Sequence, residues 1–243
     1  MADIVPQVSL ALSGLKQEFN IIVHNLANVG TVGYKRRCNT FSRLLAAQGA
    51  GTVEAAAETA DLKSVFDFTQ GSIIETGRAL DFALVGRGFF VVETPDGPLY
   101  TRNGMFRLNQ NGQIVDSAGR IVAGEAGPIT IPRSVGLSQI SVSTDGSVQS
   151  GGTLIGKFRL VDFKENEKDL IGAGLNCFRA PEGLKPQTPE NLVVKQGFQE
   201  SSNVQLVEEL ADMIMVTRLY EANMQFISAR RDLSKSIIDV AMS

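Results

Sequence analysis

Residues 202–243 read SNVQLVEELADMIMVTRLYEANMQFISARRDLSKSIIDVAMS, and the fold turns on them. Ser202 with Gln205 fits a capping box at the start of a helix. Glu208, Glu209 and Asp212 then fall near its N-terminus, and Arg230, Arg231 and Lys235 toward its C-terminus, both as the helix dipole favours. The pattern is long enough for ~10 turns. Leu206, Leu210, Met213, Tyr220, Met224 and Ile227 keep one 4-3 register, with Thr217 filling the gap. Met215, Leu219, Ala222, Phe226, Ala229, Leu233 and Val240 keep a second, two residues out of step, with Ser236 in its gap. Two residues are ~200° around a helix, so the stripes lie on nearly opposite faces. A helix that is apolar on two faces is packed between several neighbours. The chain offers one other good helix, so the remaining neighbours are expected to be other copies or other subunits.

That other helix lies at about residues 5–30. Val8, Leu12, Leu15, Phe19, Ile22 and Leu26 follow spacings of 4, 3, 4, 3 and 4, the rhythm of a helix seam. Pro6 suits a first turn, and Asn28, Gly30 and Gly33 suit a left-handed stop. A basic cluster, Lys35-Arg36-Arg37, follows and reads as a solvated or subunit-contacting patch.

Between the helices, residues 70–195 read as β-structure. Short apolar runs recur at 82–85, 89–92, 121–122, 129–131 and 154–163. Asp96-Gly97, Asn103-Gly104, Asn111-Gly112, Asp145-Gly146 and Gly151-Gly152 separate them as hairpin turn signals. Ile140-Ser141-Val142-Ser143 alternates at period two, and Phe158 and Leu160 face away from Lys157 and Arg159. No helix-length pattern interrupts the strands, which argues against parallel βαβ units. The stretch 46–60, rich in Ala, Gly, Thr and Glu, reads equally as a short helix or a flexible linker. The expected fold is therefore α+β. Terminal α-helices (1–45 and 196–243) form a discontinuous, coiled-coil-like domain, 46–69 is a linker, and 70–195 is a central, mainly antiparallel β-domain. The first 45 residues carry a net charge of +3 and residues 196–243 one of −3, so the two ends are complementary.

Composition excludes several functions. Of the 243 residues, 23 are Lys or Arg and 26 Asp or Glu, a net charge of −3, so a generic polyanion binder is not expected. No apolar run reaches the ~18 residues of a membrane span. The start, Met1-Ala2-Asp3-Ile4-Val5-Pro6, does not read as a secretory signal peptide. With one histidine, His24, and two cysteines, Cys38 and Cys177, a His/Cys zinc site is barely possible. The cysteines, far apart in sequence, read as separate thiols, although one disulfide remains open. Ser13-Gly14-Leu15-Lys16 matches the S-x-x-K pattern of penicillin-recognising enzymes, but Leu15 belongs to the seam and no accompanying motif is present. Gly86-Arg87-Gly88 reads as a tight turn rather than a dinucleotide fingerprint. His24 reads as a helix-surface or interface residue. Asp81 and Asp116 read as turn or surface residues. No catalytic residue and no cofactor is expected.

The residues also carry a resemblance. Asn25-Leu26-Ala27-Asn28-Val29, Thr31 and Gly33-Tyr34-Lys35 resemble the N-terminal signature of bacterial flagellar axial proteins: rod, hook and hook-associated proteins. Thr69-Gln70-Gly71-Ser72, Thr76-Gly77, Leu80-Asp81, Gly86-Arg87-Gly88-Phe89-Phe90 and Tyr100-Thr101-Arg102-Asn103-Gly104 look like the central segment of rod and hook proteins. Ser202-Asn203-Val204, Val207-Glu208-Glu209 and Arg218-Leu219-Tyr220-Glu221 are similar to their C-terminal helix. His24 stands where the signature usually has a second Asn. Residues 127–132 and 155–163 look most like the proximal-rod type, while Val207-Glu208-Glu209-Leu210 looks like the distal-rod type, a close second.

This resemblance implies a non-enzymatic structural subunit. It would leave the cytoplasm uncleaved through the flagellar type III export apparatus and polymerise in the periplasm with copies of itself and other rod and hook proteins. The terminal helices would line the inner wall of a helical tube and the β-domain its outer layer, and the rod would transmit torque from motor to hook. Neither nucleic-acid binding nor membrane insertion is implied. The assembly interface is expected at Val8, Leu12, Leu15, Phe19, Ile22, Asn25, Leu26 and Asn28, and at Leu206, Leu210, Met213, Met215, Leu219, Tyr220 and Phe226. A hook-type subunit, or a ligand-binding or enzymatic β-domain with oligomerisation helices, are the alternatives.

Overall fold

A computed structural model describes residues 4–39 and 64–242. Helices occupy both ends of the chain and antiparallel β-structure the middle. The stretch 46–60 and Arg43 lie outside the described residues.

Helix α1 runs from Ile4 to Ala27, with Pro6 in its first turn, where a missing N–H costs nothing. Helix α2 spans Leu206–Met242, 37 residues and about ten turns. Its first backbone bond runs from Glu209 N–H to the carbonyl of Gln205, so Gln205 takes the capping position. The capping box expected from Ser202 and Gln205 does not form. The Ser202 hydroxyl instead accepts the N–H of Val204 at 3.2 Å, and the helix starts three residues later than that motif implied.

The chain divides into two compact units. One draws on both ends and holds α1, the short strand Arg37–Asn39 and α2, with α1 packed against α2. The other comprises Asn28–Arg36 and Val65–Val204 and holds the β-structure. It thus takes in the turn after α1 and reaches beyond residue 195.

In the β unit a nine-stranded sheet runs, in spatial order, Ile171–Gly174, Cys177–Arg179, Gly97–Thr101, Phe89–Thr94, Ile121–Gly124, Ile114–Val115 and Arg107–Leu108. Gly127–Pro128 adds to Ile121–Gly124, and Leu160–Val161 to Phe89–Thr94. Ile140–Val142, Ser147–Ser150 and Thr153–Lys157 form a separate meander. Val193–Gln196 pairs with Phe82–Val85, and Phe198–Glu200 with Ile73–Glu75. All these pairings are antiparallel, as the absence of helix-length patterns between strands implied.

The strand Phe89–Thr94 has core on both faces. Its period of two sends Phe89 and Val91 into one apolar cluster and Phe90 into the other. In the first cluster Phe89 and Val91 meet Phe66, Phe178 and Tyr100, and Phe66 meets Phe178 edge-on at 4.9 Å. In the second, Phe90 packs edge-on against Phe106 at 5.0 Å, and Phe82 against Phe158 at 5.2 Å. Such edge-to-face pairs add ~0.5–1.5 kcal/mol each beyond the area they bury.

Hairpin chemistry matches the sequence at Gly151-Gly152, where both residues have positive φ, +56° and +83°, between adjacent strands. It does not match at Asn103-Gly104. Gly104 makes no hairpin: Phe82 N–H donates to its carbonyl at 3.0 Å, and a Cβ on Gly104 would collide with the carbonyl oxygen of Phe82. The glycine is there because two backbones meet, which local turn statistics do not register. Gly104→Ala is expected to destabilise the β unit by ~3 kcal/mol. The check is the midpoint of that unit's transition in urea, against Gly136→Ala, where φ is −71° and an added Cβ would meet its nearest neighbour at 3.8 Å.

Candidate assembly surface

Each unit is held by a buried polar group, and the two act differently. In the helical unit Asn25 of α1 is fully buried. Its amide nitrogen donates to both carboxylate oxygens of Glu209 at 3.2 Å and to the carbonyl of Arg37 at 2.9 Å, while its oxygen accepts Arg37 N–H at 2.8 Å. Glu209 is therefore the buried partner that joins α2 to α1, not an exposed complement to the helix dipole. Sequence reasoning missed it because an acid in a first helical turn reads as solvated. The available signal was Asn25, a polar residue one step from the apolar seam.

The seam of α2 follows from this anchor. Glu209 and Val216 are buried, and Met213, Asn223 and Ile227 are half-buried. These positions again step by 4, 3, 7 and 4, but they combine one half of the first sequence stripe with residues one place earlier than the other half. Leu206, Leu210, Tyr220 and Met224 consequently flank the seam instead of filling it, and each is 42–46 % exposed. On the other flank Met215, Leu219 and Phe226 are 48–62 % exposed. Val207 and Ile214, which neither stripe contained, are exposed as well. With ~100° between successive residues, the seam covers one side of α2 and the apolar residues spread over both sides of it.

On α1, Ile22 and Asn25 are buried, Leu12, Leu15 and Leu26 half-buried, and Phe19 exposed at 38 %. Ile21, outside the expected seam, is buried. The side chain of Val8 lies outside the described residues. Asn28, expected at the interface, belongs to the β unit, where its carbonyl accepts Thr31 N–H and its side chain the Thr31 hydroxyl. Of the expected residues the structure thus joins Asn25 to the other helix, buries Ile22, half-buries Leu12, Leu15, Leu26 and Met213, and leaves Phe19 and the other six on α2 exposed.

The second buried group is the carboxylate of Glu200 in the β unit. Lys35 Nζ donates to one oxygen at 2.7 Å and Arg102 Nε to the other at 2.8 Å. All three side chains are almost wholly buried. Lys35 also donates to the carbonyl of Thr69, and Arg102 Nη1 to the carbonyls of Gly86 and Gly88 at 2.8 and 2.7 Å. The tight turn expected at Gly86-Arg87-Gly88 is thereby tied down from beneath. Lys35 is not part of a solvated basic patch; the N-terminal cation meets a C-terminal acid inside the β unit. Burial pushes its ammonium below the ordinary 10.5, against the pull of Glu200. Asp81 is likewise not a surface residue. It is fully buried and accepts from the Thr76 hydroxyl at 2.8 Å and the Gln199 amide at 2.6 Å. Asp116 does serve a turn, accepting N–H groups of Ala118 and Arg120 at 2.9 Å. Cys177 is a buried thiol that accepts from Arg120 Nη2 at 3.1 Å, and burial pushes its pKa up.

Among the described residues no group of His, Cys, Asp and Glu could hold a metal ion, and no helix is long and apolar enough to cross a membrane.

The sequence matches known proteins along most of its length. Residues 83–150 match the family described as flagellar hook protein FlgE/F/G D1 domain, and residues 195–240 the one described as flagellar basal body rod FlgEFG protein C-terminal. The chain is 34 % identical to the flagellar basal-body rod protein FlgF of Caulobacter vibrioides over 93 % of its own length and 92 % of that protein's. It is 32 % identical to the rod protein FlgG of Buchnera aphidicola subsp. Acyrthosiphon pisum, with 92 % and 95 % covered. With FlgG of Bacillus subtilis it shares 29 % identity over 94 % and 96 %.

Glu200→Gln leaves two buried cations without their carboxylate and should cost the β unit ~3–5 kcal/mol in denaturant unfolding. Lys35 adds a pH dependence. In the folded chain it loses its proton at a lower pH than in the unfolded chain, so the folded state carries the cost of a buried charge at low pH. That cost is relieved, and stability rises, as pH climbs from the folded value toward 10.5. Urea midpoints across this range should show the rise in the native chain and not in Lys35→Met.

Proposed function

We propose that this chain, which belongs to the family of flagellar basal-body rod proteins that includes FlgF and FlgG, is a structural subunit of the bacterial flagellar basal-body rod. The observation that carries the mechanism is the apolar surface of α2. Nine large apolar side chains between Leu206 and Phe226 stand 42–78 % exposed, on both sides of the seam that α1 already occupies. A helix paired on one side and apolar on two flanks is built for further helices. Contacts of this kind between unlike faces are heterologous, and heterologous contacts generate helical assemblies. The subunit polymerises through the coiled-coil-like pair of its terminal segments, 1–45 and 196–243, into a tube that passes torque from motor to hook. The helices form the inner wall and the β-domain the outer layer.

Its partners are copies of itself, other rod and hook proteins, and the type III export apparatus that delivers the chain uncleaved to the periplasm. Chemistry at a catalytic centre has no part in this function. The proximal-rod position is favoured by residues 127–132 and 155–163, and the distal position is the second reading. Curated relatives of both types match over nearly the whole chain.

Half-exposed side chains of this size gain about 1 kcal/mol each on burial, so the faces together supply an amount on the order of what it costs to immobilise a subunit. Assembly is then sensitive to single charges. Leu210→Asp, on an exposed flank, should leave the monomer folded by circular dichroism and abolish swimming and rod assembly. Leu15→Asp, in the half-buried seam, should abolish both and also loosen the helix pair. Normal swimming of Leu210→Asp cells would refute the role given to this face.

A further inference from the structure

Along the terminal strand Arg107–Leu108 of the nine-stranded sheet runs an open trough of ≈ 670 Å³. Leu80, Leu108 and Val135 give it apolar walls. Its charged residues are Arg78, Arg107 and Arg133, and no carboxylate lines it. Two of the three arginines are positioned by the protein. Arg78 approaches the buried Asp81 at 3.4 Å, and Arg133 Nη2 donates to the carbonyl of Gln110 at 2.7 Å. Arg107 stands exposed on the edge strand itself.

The opposite edge of the same sheet is Ile171–Gly174. All four residues are exposed, as is Leu175 at the hairpin tip. The strand bears no charge and no proline, the usual devices that keep a sheet edge from pairing with another chain. The turn before it, Lys164–Asp169, is net acidic. Lys164 is taken up by Glu190 at 3.1 Å and Glu167 by Arg87 at 3.0 Å, which leaves Glu165, Lys168 and Asp169 facing solvent. One edge is thus a cationic apolar trough, and the other a bare apolar strand with Glu165 and Asp169 at its start and two exposed cations, Lys168 and the cross-strand Arg179, beside it.

We propose that the Ile171–Gly174 edge of one copy docks in the Arg107 trough of the next copy, with Asp169 and Glu165 beside the arginines. The occupant is a second copy of this chain because the complementary surface is present on the chain itself, at the far end of the same sheet. Every copy then offers one edge and receives one, and the contact is heterologous and propagates from copy to copy. The inference rests on the rod reading and deepens it: the β units have a lateral contact of their own, separate from the helices.

The test places Arg107→Cys and Ile171→Cys together in the full-length chain, expressed as its sole form, and treats flagellated cells with a short bismaleimide. The two edges lie at opposite ends of a path of seven strands, and a link within one copy would give no species larger than the monomer. A ladder of dimers, trimers and longer species is expected from the double variant, and at least tenfold less product from either single variant, each of which retains Cys38 and Cys177. Dimers from a single variant at the level of the double variant, or no ladder from a double variant whose cells swim, overturn the proposal. A second arm covers a double variant that does not assemble. Arg107→Glu or Asp169→Arg alone should slow swimming-ring expansion about tenfold, and the two together should restore it to within about twofold. A pair no faster than the slower single variant overturns the proposal. Loss of either effect while Leu210→Asp still blocks assembly removes the edge contact alone; Leu210→Asp without effect counts against the rod reading itself.

Discussion

Separate stretches of chain meet at the carboxylate of Glu200. Lys35 arrives from the turn after α1, Arg102 from the strand region that follows Gly97–Thr101, and Gly71 N–H from the segment that leads into the β unit, at 3.0 Å. The backbone takes part as well, since Gly33 N–H donates to the carbonyl of Glu200 at 2.7 Å. Through Arg102 the same carboxylate governs the Gly86–Gly88 turn, and so the step from Phe82–Val85 to the central strand Phe89–Thr94. A buried ionic cluster of this sort adds little net stability over an apolar one of equal volume, yet losing one member is costly. Its consequence here is order. The β unit closes only when residues near 33 and near 200, far apart in sequence, lie side by side.

That closure brings the two chain ends to the same place, which is the condition for a helical unit drawn from both of them. There the polar anchor is smaller, Asn25 with Glu209, and it specifies rotation more than it stabilises. By turning Glu209 inward, it sets which side of α2 meets α1, and hence which apolar residues remain outside. A helix of 37 residues against a partner of 24 has length to spare. The helical unit leaves large apolar side chains exposed on both flanks of its longer helix. The β unit, by contrast, buries both faces of its central strand and leaves open its sheet edge at Ile171–Gly174.

Much of this was readable from residue pattern. The 4-3 spacing from Val8 to Leu26 marks α1, and the doubled stripe marks α2 with its surplus of apolar surface, because helical periodicity is a local property. Gly151-Gly152 marks a hairpin for the same reason. What escaped is what depends on residues distant in sequence. The pattern placed the seam of α2 at Leu210 and Thr217, one residue away from Glu209 and Val216, since nothing local shows that an acid has a buried amide waiting for it. Asn103-Gly104 has the composition of a turn, yet Gly104 is required by the approach of the Phe82 carbonyl. Lys35-Arg36-Arg37 looks like a solvated cluster until Glu200 arrives from 165 residues away.

The sequence by itself therefore determined the element types, their order, and the fact that the helices carry more apolar surface than one chain can cover. Those properties are written in spacing and composition, which a single segment holds entirely. Only the tertiary structure decided which face of α2 is spent on α1, which charges are buried, and which sheet edges stand open. Each of these is settled by the pairing of distant groups under the cost of desolvation, and that cost exists only once the chain has closed around them.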